Sequence, residues 1–312
     1  MTPCERVQGS MTAVGATVAR MSPVITSPLV SSQWVADHLG ADDMVVVDVS
    51  VLPVRDRDGE ATGRFTTGRG EYLEQGHVPG AVFGDLIHDL SDDRAALPFT
   101  RPDAERFAEA AGALGITTGT TVVAYDSSGG PWAARLWWLL RAAGHDDAAV
   151  LDGGFSSWAA EGRPVDVGAV RPEPSVFVAH ERPGLWVDKP FVKAVVRGDE
   201  RAALVCGSPR AEFDGVAGAR PRLGHIPGSV NVPSIELVGD DDLHFAEVEQ
   251  LEAAFAPVLE AEKIVVYCGQ GIAASADALA LVLVGHDDVA LYDGSLDEWT
   301  SDDDAPLESL AA

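Results

Sequence analysis

Two short apolar runs rich in β-branched residues, at 44–49 and 121–125, lack an alternating polar face and read as strands buried on both sides. After them, 103–114 and 132–143 carry apolar residues at helical spacing. In the second half of the chain the strand-like runs are 203–206, 263–267 and 289–292, and a helix is predicted over about 272–284. Strand, helix, strand, helix predicts an α/β class fold in which a parallel sheet has helices on both faces. From 163 to 185, Pro164, Pro172, Pro174 and Pro183 break any period, and the segment reads as a linker running across the surface of both halves.

The pattern repeats. Gly76-His77-Val78-Pro79-Gly80 recurs 148 residues later (77 to 225) as Gly224-His225-Ile226-Pro227-Gly228. Gly144-His145-Asp146-Asp147 recurs 141 residues later (144 to 285), and Leu151-Asp152-Gly153 through Trp158 is echoed by Tyr292-Asp293-Gly294 through Trp299 at the same spacing. Three ordered matches at nearly constant offset identify a duplicated unit. The expected organisation is a disordered tail over 1–25, a first domain over 26–162, the linker 163–185 and a second domain over 186–312.

Composition narrows the class. A chain of 312 residues with 46% hydrophobic and 23% charged residues fits globular domains, and its longest apolar stretches, such as 278–284, are too short to span a bilayer. With 22 Lys+Arg against 49 Asp+Glu, the formal net charge of −27 argues against nucleic-acid binding, which needs clustered cations. Only three of the cations are lysines, Lys189, Lys193 and Lys263; a surface so acidic and lysine-poor suits a high-salt setting as well as it suits an ordinary acidic protein. Three cysteines, Cys4, Cys206 and Cys268, make no disulfide framework and match no zinc spacing, so a reducing cytoplasm is expected. The first 25 or so residues lack the apolar core of a secretory signal, and Met11 and Met21 offer alternative starts.

Chemistry enters where the copies differ. Val122-Val123-Ala124-Tyr125-Asp126 aligns with Ile264-Val265-Val266-Tyr267-Cys268, so one strand ends in Asp126 and its counterpart in Cys268. Ligands of open α/β sheets gather beyond the carboxyl ends of strands. After Cys268, the residues Gly269, Gln270, Gly271, Ile272, Ala273 and Ala274 lead into a helix; two glycines let the backbone curl its amides inward, and the helix start adds a positive dipole end. Such a cradle favours thiolate and makes Cys268 a candidate nucleophile. Taken alone, the same spacing also suits a buried apolar cysteine before a glycine turn.

The two Gly-His-(Val/Ile)-Pro-Gly boxes, Ala134-Arg135-Leu136-Trp137-Trp138, Leu151-Asp152-Gly153-Gly154 and Tyr292-Asp293-Gly294-Ser295 together resemble the tandem-domain rhodanese family of thiosulfate and 3-mercaptopyruvate sulfurtransferases, over about 27–307. The resemblance implies two rhodanese-like domains, an inactive first one with Asp at the loop start and a catalytic second one with Cys. It implies that Cys268 takes the outer sulfur of a small anionic donor, thiosulfate or 3-mercaptopyruvate, and holds it as a persulfide cradled by residues 269–274. Cyanide or a thiol, such as a thioredoxin-like protein or a low-molecular-weight thiol, would accept it, with no metal or organic cofactor.

The chain departs from the family pattern in two places. Cys268-Gly269-Gln270-Gly271-Ile272-Ala273 keeps the glycines of the mercaptopyruvate type without its loop hydroxyls. Glu212 stands where the family commonly has an anion-binding Arg, and Cys206 where it has Asp. A glutamate repels an anion, so donor binding is expected to rest on Arg220 and Arg222, with Arg210 a weaker candidate. Cys206 is read as a buried strand-end residue rather than a resolving thiol. His77 and His225, being shared by both copies, are read as structural, and Trp137 and Trp138 as core. A cysteine phosphatase or arsenate reductase on a related fold would need an arginine near the loop end, where Ala273 and Ala274 stand. The rival reading is a persulfide-relay or binding module with little activity on small donors.

Overall fold

The computed structural model describes residues 23–59 and 61–310; the expected tail up to residue 22, with Cys4, Met11 and Met21, lies outside them. The strands are β1 (Leu29–Val30), β2 (Met44–Asp48), β3 (Val51–Arg55), β4 (Ala61–Thr67), β5 (Val82–Phe83), β6 (Thr121–Tyr125), β7 (Ala148–Leu151), β8 (Trp186–Val187), β9 (Ala203–Cys206), β10 (Ser229–Asn231), β11 (Ile264–Tyr267) and β12 (Val289–Tyr292). The helices are α1 (Ser32–His38), α2 (Arg69–Glu74), α3 (Ala104–Ala113), α4 (Pro131–Ala142), α5 (Gly154–Ala160), α6 (Lys189–Arg197), α7 (Arg210–Phe213), α8 (Val248–Phe255), α9 (Ala273–Leu283) and α10 (Ser295–Thr300).

Two parallel sheets carry the chain. One runs β1-β7-β6-β2-β5 and the other β8-β12-β11-β9-β10, the same order of equivalent strands, so the repeat seen in the sequence is a repeat of topology. Alternate residues of each strand face opposite layers. Val122 and Ala124 of β6, with Ile264 and Val266 of β11, join one continuous core in which α4 packs on α9. Val123 and Tyr125 face an outer core with Trp158, while Val265 and Tyr267 face a separate one with Trp299. The duplicated units are thus fused through their central helices, and Trp137 and Trp138 lie in that shared core. No helix among the described residues is long and apolar enough to cross a membrane.

The two boxes share one structural role. The phenol of Tyr125 accepts the Val78 N–H at 3.2 Å, and that of Tyr267 accepts the Ile226 N–H at 3.1 Å. His77 bridges to Asp166 and His225 to Glu308, so each box is pinned between a strand end and the chain leaving its own half. This agrees with the structural reading of both histidines. Segment 163–185 hydrogen-bonds through its backbone to Leu73, His77, Gly112, Ala142 and Ala143 of the first half, and its last turn, 183–185, lies against β12 of the second.

The antiparallel hairpin β3–β4 has no counterpart in the periodic pattern. Its residues are largely exposed, with Pro53 and Gly63 inside, so neither strict alternation nor a continuous apolar run marks it.

Candidate active site

Helix α9 begins without a side-chain cap, at Ile272, and the amides of its first turn stay free for another acceptor. Cys268, immediately after β11, faces that end: its Sγ accepts the N–H of Gly271, just before the N-cap, at 3.1 Å, and the Ala274 amide of the first turn favours its thiolate. The equivalent helix α4 also lacks a side-chain cap from its own N-cap, Gly130. There the Asp126 carboxylate accepts the N–H groups of Ser128 (2.7 Å), Gly130 (3.0 Å), Trp132 (2.9 Å) and Ala133 (2.9 Å). The first cradle is therefore filled by an anion of its own chain, while the second holds only the sulfur of Cys268.

The Cys268 loop is held from outside by the turn after β12. Ser295 Oγ accepts the Cys268 N–H at 3.2 Å and donates to the Tyr292 carbonyl at 2.9 Å. The Cys268 and Gly269 carbonyls accept the N–H groups of Leu296 and Asp297, each at 3.0 Å. Gln270 donates to Asp297 Oδ2 at 2.9 Å, and Ser275 Oγ to the Gly271 carbonyl at 2.9 Å. Ser295 has φ +49°, at the position of Gly154 (φ +57°) in the first half: a serine in a glycine conformation whose hydroxyl holds the Cys268 backbone.

The electrostatic balance corrects one expectation. Cys268 is 3% exposed, and burial pushes its thiol above the ordinary value. The amides of Ala274, Gln270 and Gly271 pull it down, but burial outweighs them. The cradle thus opposes the protonated form without overcoming desolvation. Asp277, one helical turn into α9, is fully buried beside Gly207 with both carboxyl oxygens unpartnered, and burial raises it well above the ordinary carboxylate range.

Of the two arginines expected to bind the donor, only Arg220 reaches the loop. Its Nη2 lies against Gly269, at the place a Cβ would take. Its Nε donates to Asp297 Oδ1 at 2.7 Å and its Nη1 to Glu212 Oε2 at 2.9 Å. Glu212 therefore orients the cation at the site. Arg222 does not line the loop: it donates to the carbonyls of Asp302 (2.6 Å) and Ala305 (2.5 Å) and fastens the chain that follows α10. Arg210 is exposed and faces Glu236 at 3.8 Å. Cys206 is buried in the outer core with Trp299, on the opposite sheet face from Cys268, and burial pushes its thiol up to about 12, as suits a structural residue.

A cavity of about 640 Å³ opens next to the loop. Its walls come from the first half, with Arg64 and Phe65 on the hairpin and His88 and Phe99 beyond β5, and it ends at Gln270. Nothing in the local sequence of Arg64 or His88 marks them as lining a cavity with Gln270. Asp293, Ser295 and Asp297 belong to a visible motif, Tyr292-Asp293-Gly294-Ser295 and onward, whose repetition was the available signal.

A parallel-sheet unit in tandem, with one loop closed by its own carboxylate and one carrying a cradled cysteine, defines a duplicated α/β protein. The family model of the rhodanese-like domain matches residues 31–161 and 201–302, and the chain belongs to that family. It is 33% identical over 290 residues to the 3-mercaptopyruvate sulfurtransferase of Escherichia coli K12, covering 91% of this chain and 99% of the relative. To the human protein of that name it is 35% identical, covering 89% and 93%, and to bovine thiosulfate sulfurtransferase 34%, covering 88% and 93%. The crystal structure of SseA from E. coli, a 3-mercaptopyruvate sulfotransferase, superposes with a TM-score of 0.76 at 31% identity over 86% of this chain and 99% of that one. The protein is an enzyme of the sulfurtransferase type.

Proposed function

We propose that this enzyme moves a sulfane sulfur from thiosulfate or 3-mercaptopyruvate to cyanide or a thiol through a persulfide on Cys268, with 186–312 as the catalytic domain and 26–162 as its inactive partner. With thiosulfate, the Cys268 thiolate attacks the outer sulfur; the S–S bond of the donor breaks, and sulfite leaves with the electron pair. The persulfide anion then gives its outer sulfur to cyanide as thiocyanate, or to an acceptor thiol such as a thioredoxin-like protein or a low-molecular-weight thiol, and Cys268 returns as thiolate.

The pair of cradles carries this reading. Four amides of the first loop hold the Asp126 carboxylate, which is what an equivalent loop would do for a terminal persulfide sulfur. Residues Gly269, Gln270, Gly271, Ile272, Ala273 and Ala274 form that second loop, and the Nη2 edge of Arg220 meets the anionic end of the donor. A second reading, a relay that accepts sulfur from a partner protein, is favoured by the pairing of Arg220 with both Glu212 and Asp297, which spends much of its charge.

Intact-protein mass after separate incubation with thiosulfate and 3-mercaptopyruvate decides between them. One added sulfur atom in wild type and none in Cys268→Ser supports transfer from small donors. No gain with either, together with loading by a persulfidated protein, overturns it for the relay.

A further inference from the structure

The turn after the last central strand of each half reaches across to the other half. Asp152 accepts the Phe245 N–H at 2.8 Å, and its second oxygen lies 3.0 Å from His244 Nδ1. Its counterpart Asp293 accepts the Arg101 N–H at 2.8 Å and Nη2 of Arg135 at 2.6 Å. Duplication has thus produced two clamps between the halves. The first stands beside the loop closed by Asp126, the second beside the loop that carries Cys268.

Arg135 is an odd residue to find there. It lies on α4 within the shared core, 1% exposed, among tryptophans and leucines. Nη2 serves Phe99 O at 2.8 Å and Asp293, while Nε and Nη1 have no hydrogen-bond partner. Burying unpartnered guanidinium nitrogens is unfavourable, and a residue of similar length such as methionine would pack there without that penalty. The unpartnered Nη1 points at the catalytic loop, 3.4 Å from where a Cβ on Gly271 would sit; the Asp293 carbonyl and carboxylate are 3.0 and 3.2 Å from the same point. Gly271 turns through φ +79°, a corner with no side chain of its own to anchor it, and its N–H is the one that donates to Sγ.

We propose that Arg135 is a positioning residue of the active site: with Asp293 it forms the wall on which the Gly271 corner rests, and so aims that amide at the Cys268 sulfur. The half without a nucleophile thereby completes the site of the other. The proposal rests on Cys268 being the nucleophile, and it deepens the account of that site by adding a residue that touches neither sulfur nor donor.

The test follows the pH dependence of Cys268 alkylation by iodoacetamide in the full chain, read on the Cys268 peptide by mass, together with kcat and KM. Arg135→Gln and Arg135→Met are compared with Asp152→Asn, which loosens the other clamp; either Arg135 variant carries the reading should the second fail to fold. The expected result is an alkylation midpoint at least one pH unit higher and a kcat at least tenfold lower for the Arg135 variants, with KM within twofold and Asp152→Asn like wild type. An unshifted midpoint in both Arg135 variants, or an equal shift in Asp152→Asn, overturns the proposal. Alkylation needs no sulfur donor, so failure of either small donor to load sulfur faults the proposed reaction, while an unshifted midpoint faults the role of Arg135.

Discussion

Asp277 is the sharpest test of the physical reasoning, because the fold gives its carboxyl no partner at all. It is fully buried in an α9 that is otherwise Ala, Leu, Val and Ser, and burial raises its pKa well above the ordinary range. In the unfolded chain an aspartate releases its proton near pH 3.9. Between that value and the raised native one, the native state holds one proton more than the unfolded state, so stability is full below about pH 4 and falls as pH rises. The loss amounts to about 1.4 kcal/mol per pH unit for as long as the native carboxyl keeps its proton, so two units open a gap of about 3 kcal/mol. Asp277→Asn keeps the size and the unpartnered polar group but cannot ionise. Urea unfolding of both proteins between pH 4 and 8, with equal m-values, should show curves that meet near pH 4 and diverge upward, the variant becoming the more stable. A difference that stays flat within about 0.5 kcal/mol across that range would refute the assignment of a buried, proton-holding carboxyl.

Other consequences can be measured directly. Because burial pushes the Cys268 thiol up, its alkylation should keep accelerating past the free-cysteine value of about 8.5, and a rate already level at pH 7 would contradict that balance. Arg220→Gln should raise KM for an anionic donor about tenfold, equivalent to about 1.4 kcal/mol, while Arg222→Gln should leave KM alone and lower stability by about 1–2 kcal/mol through the two carbonyls it abandons; the reverse pattern would undo the placement of the two side chains. Ser295→Ala loses the bond to the Cys268 N–H and keeps the φ +49° strain, whereas Ser295→Gly loses the bond and relieves the strain, so thermal unfolding should rank glycine above alanine by about 1 kcal/mol. At a net charge of −27 the protein repels a dianionic donor, and turnover should rise toward about 1 M salt, where the screening length is roughly 3 Å; a steady fall from low salt upward would count against charge repulsion as the limit.

The duplication, the α/β class and the one cysteine that the fold sets in a backbone cradle were legible in the chain. A strand buried on both faces must be apolar throughout, so 121–125, 203–206 and 289–292 stood out and coincide with β6, β9 and β12. Repeated boxes aligned the halves, and the alignment exposed Cys268 opposite Asp126, because an invariant framework makes a single changed strand end conspicuous. Hairpin β3–β4 stayed hidden because exposed, irregular strands impose no period. Tertiary structure alone separated Arg220 from Arg222: two residues apart and alike in chemistry, one is turned to the loop by Glu212 and Asp297, the other away by the carbonyls of Asp302 and Ala305. It alone brought Arg135 and Asp293 against Gly271 and left Asp277 without a partner. Periodicity reports how buried a position is on average along its own element; which way a loop side chain turns, and how far a thiol is desolvated, is decided by groups that folding brings from distant parts of the chain.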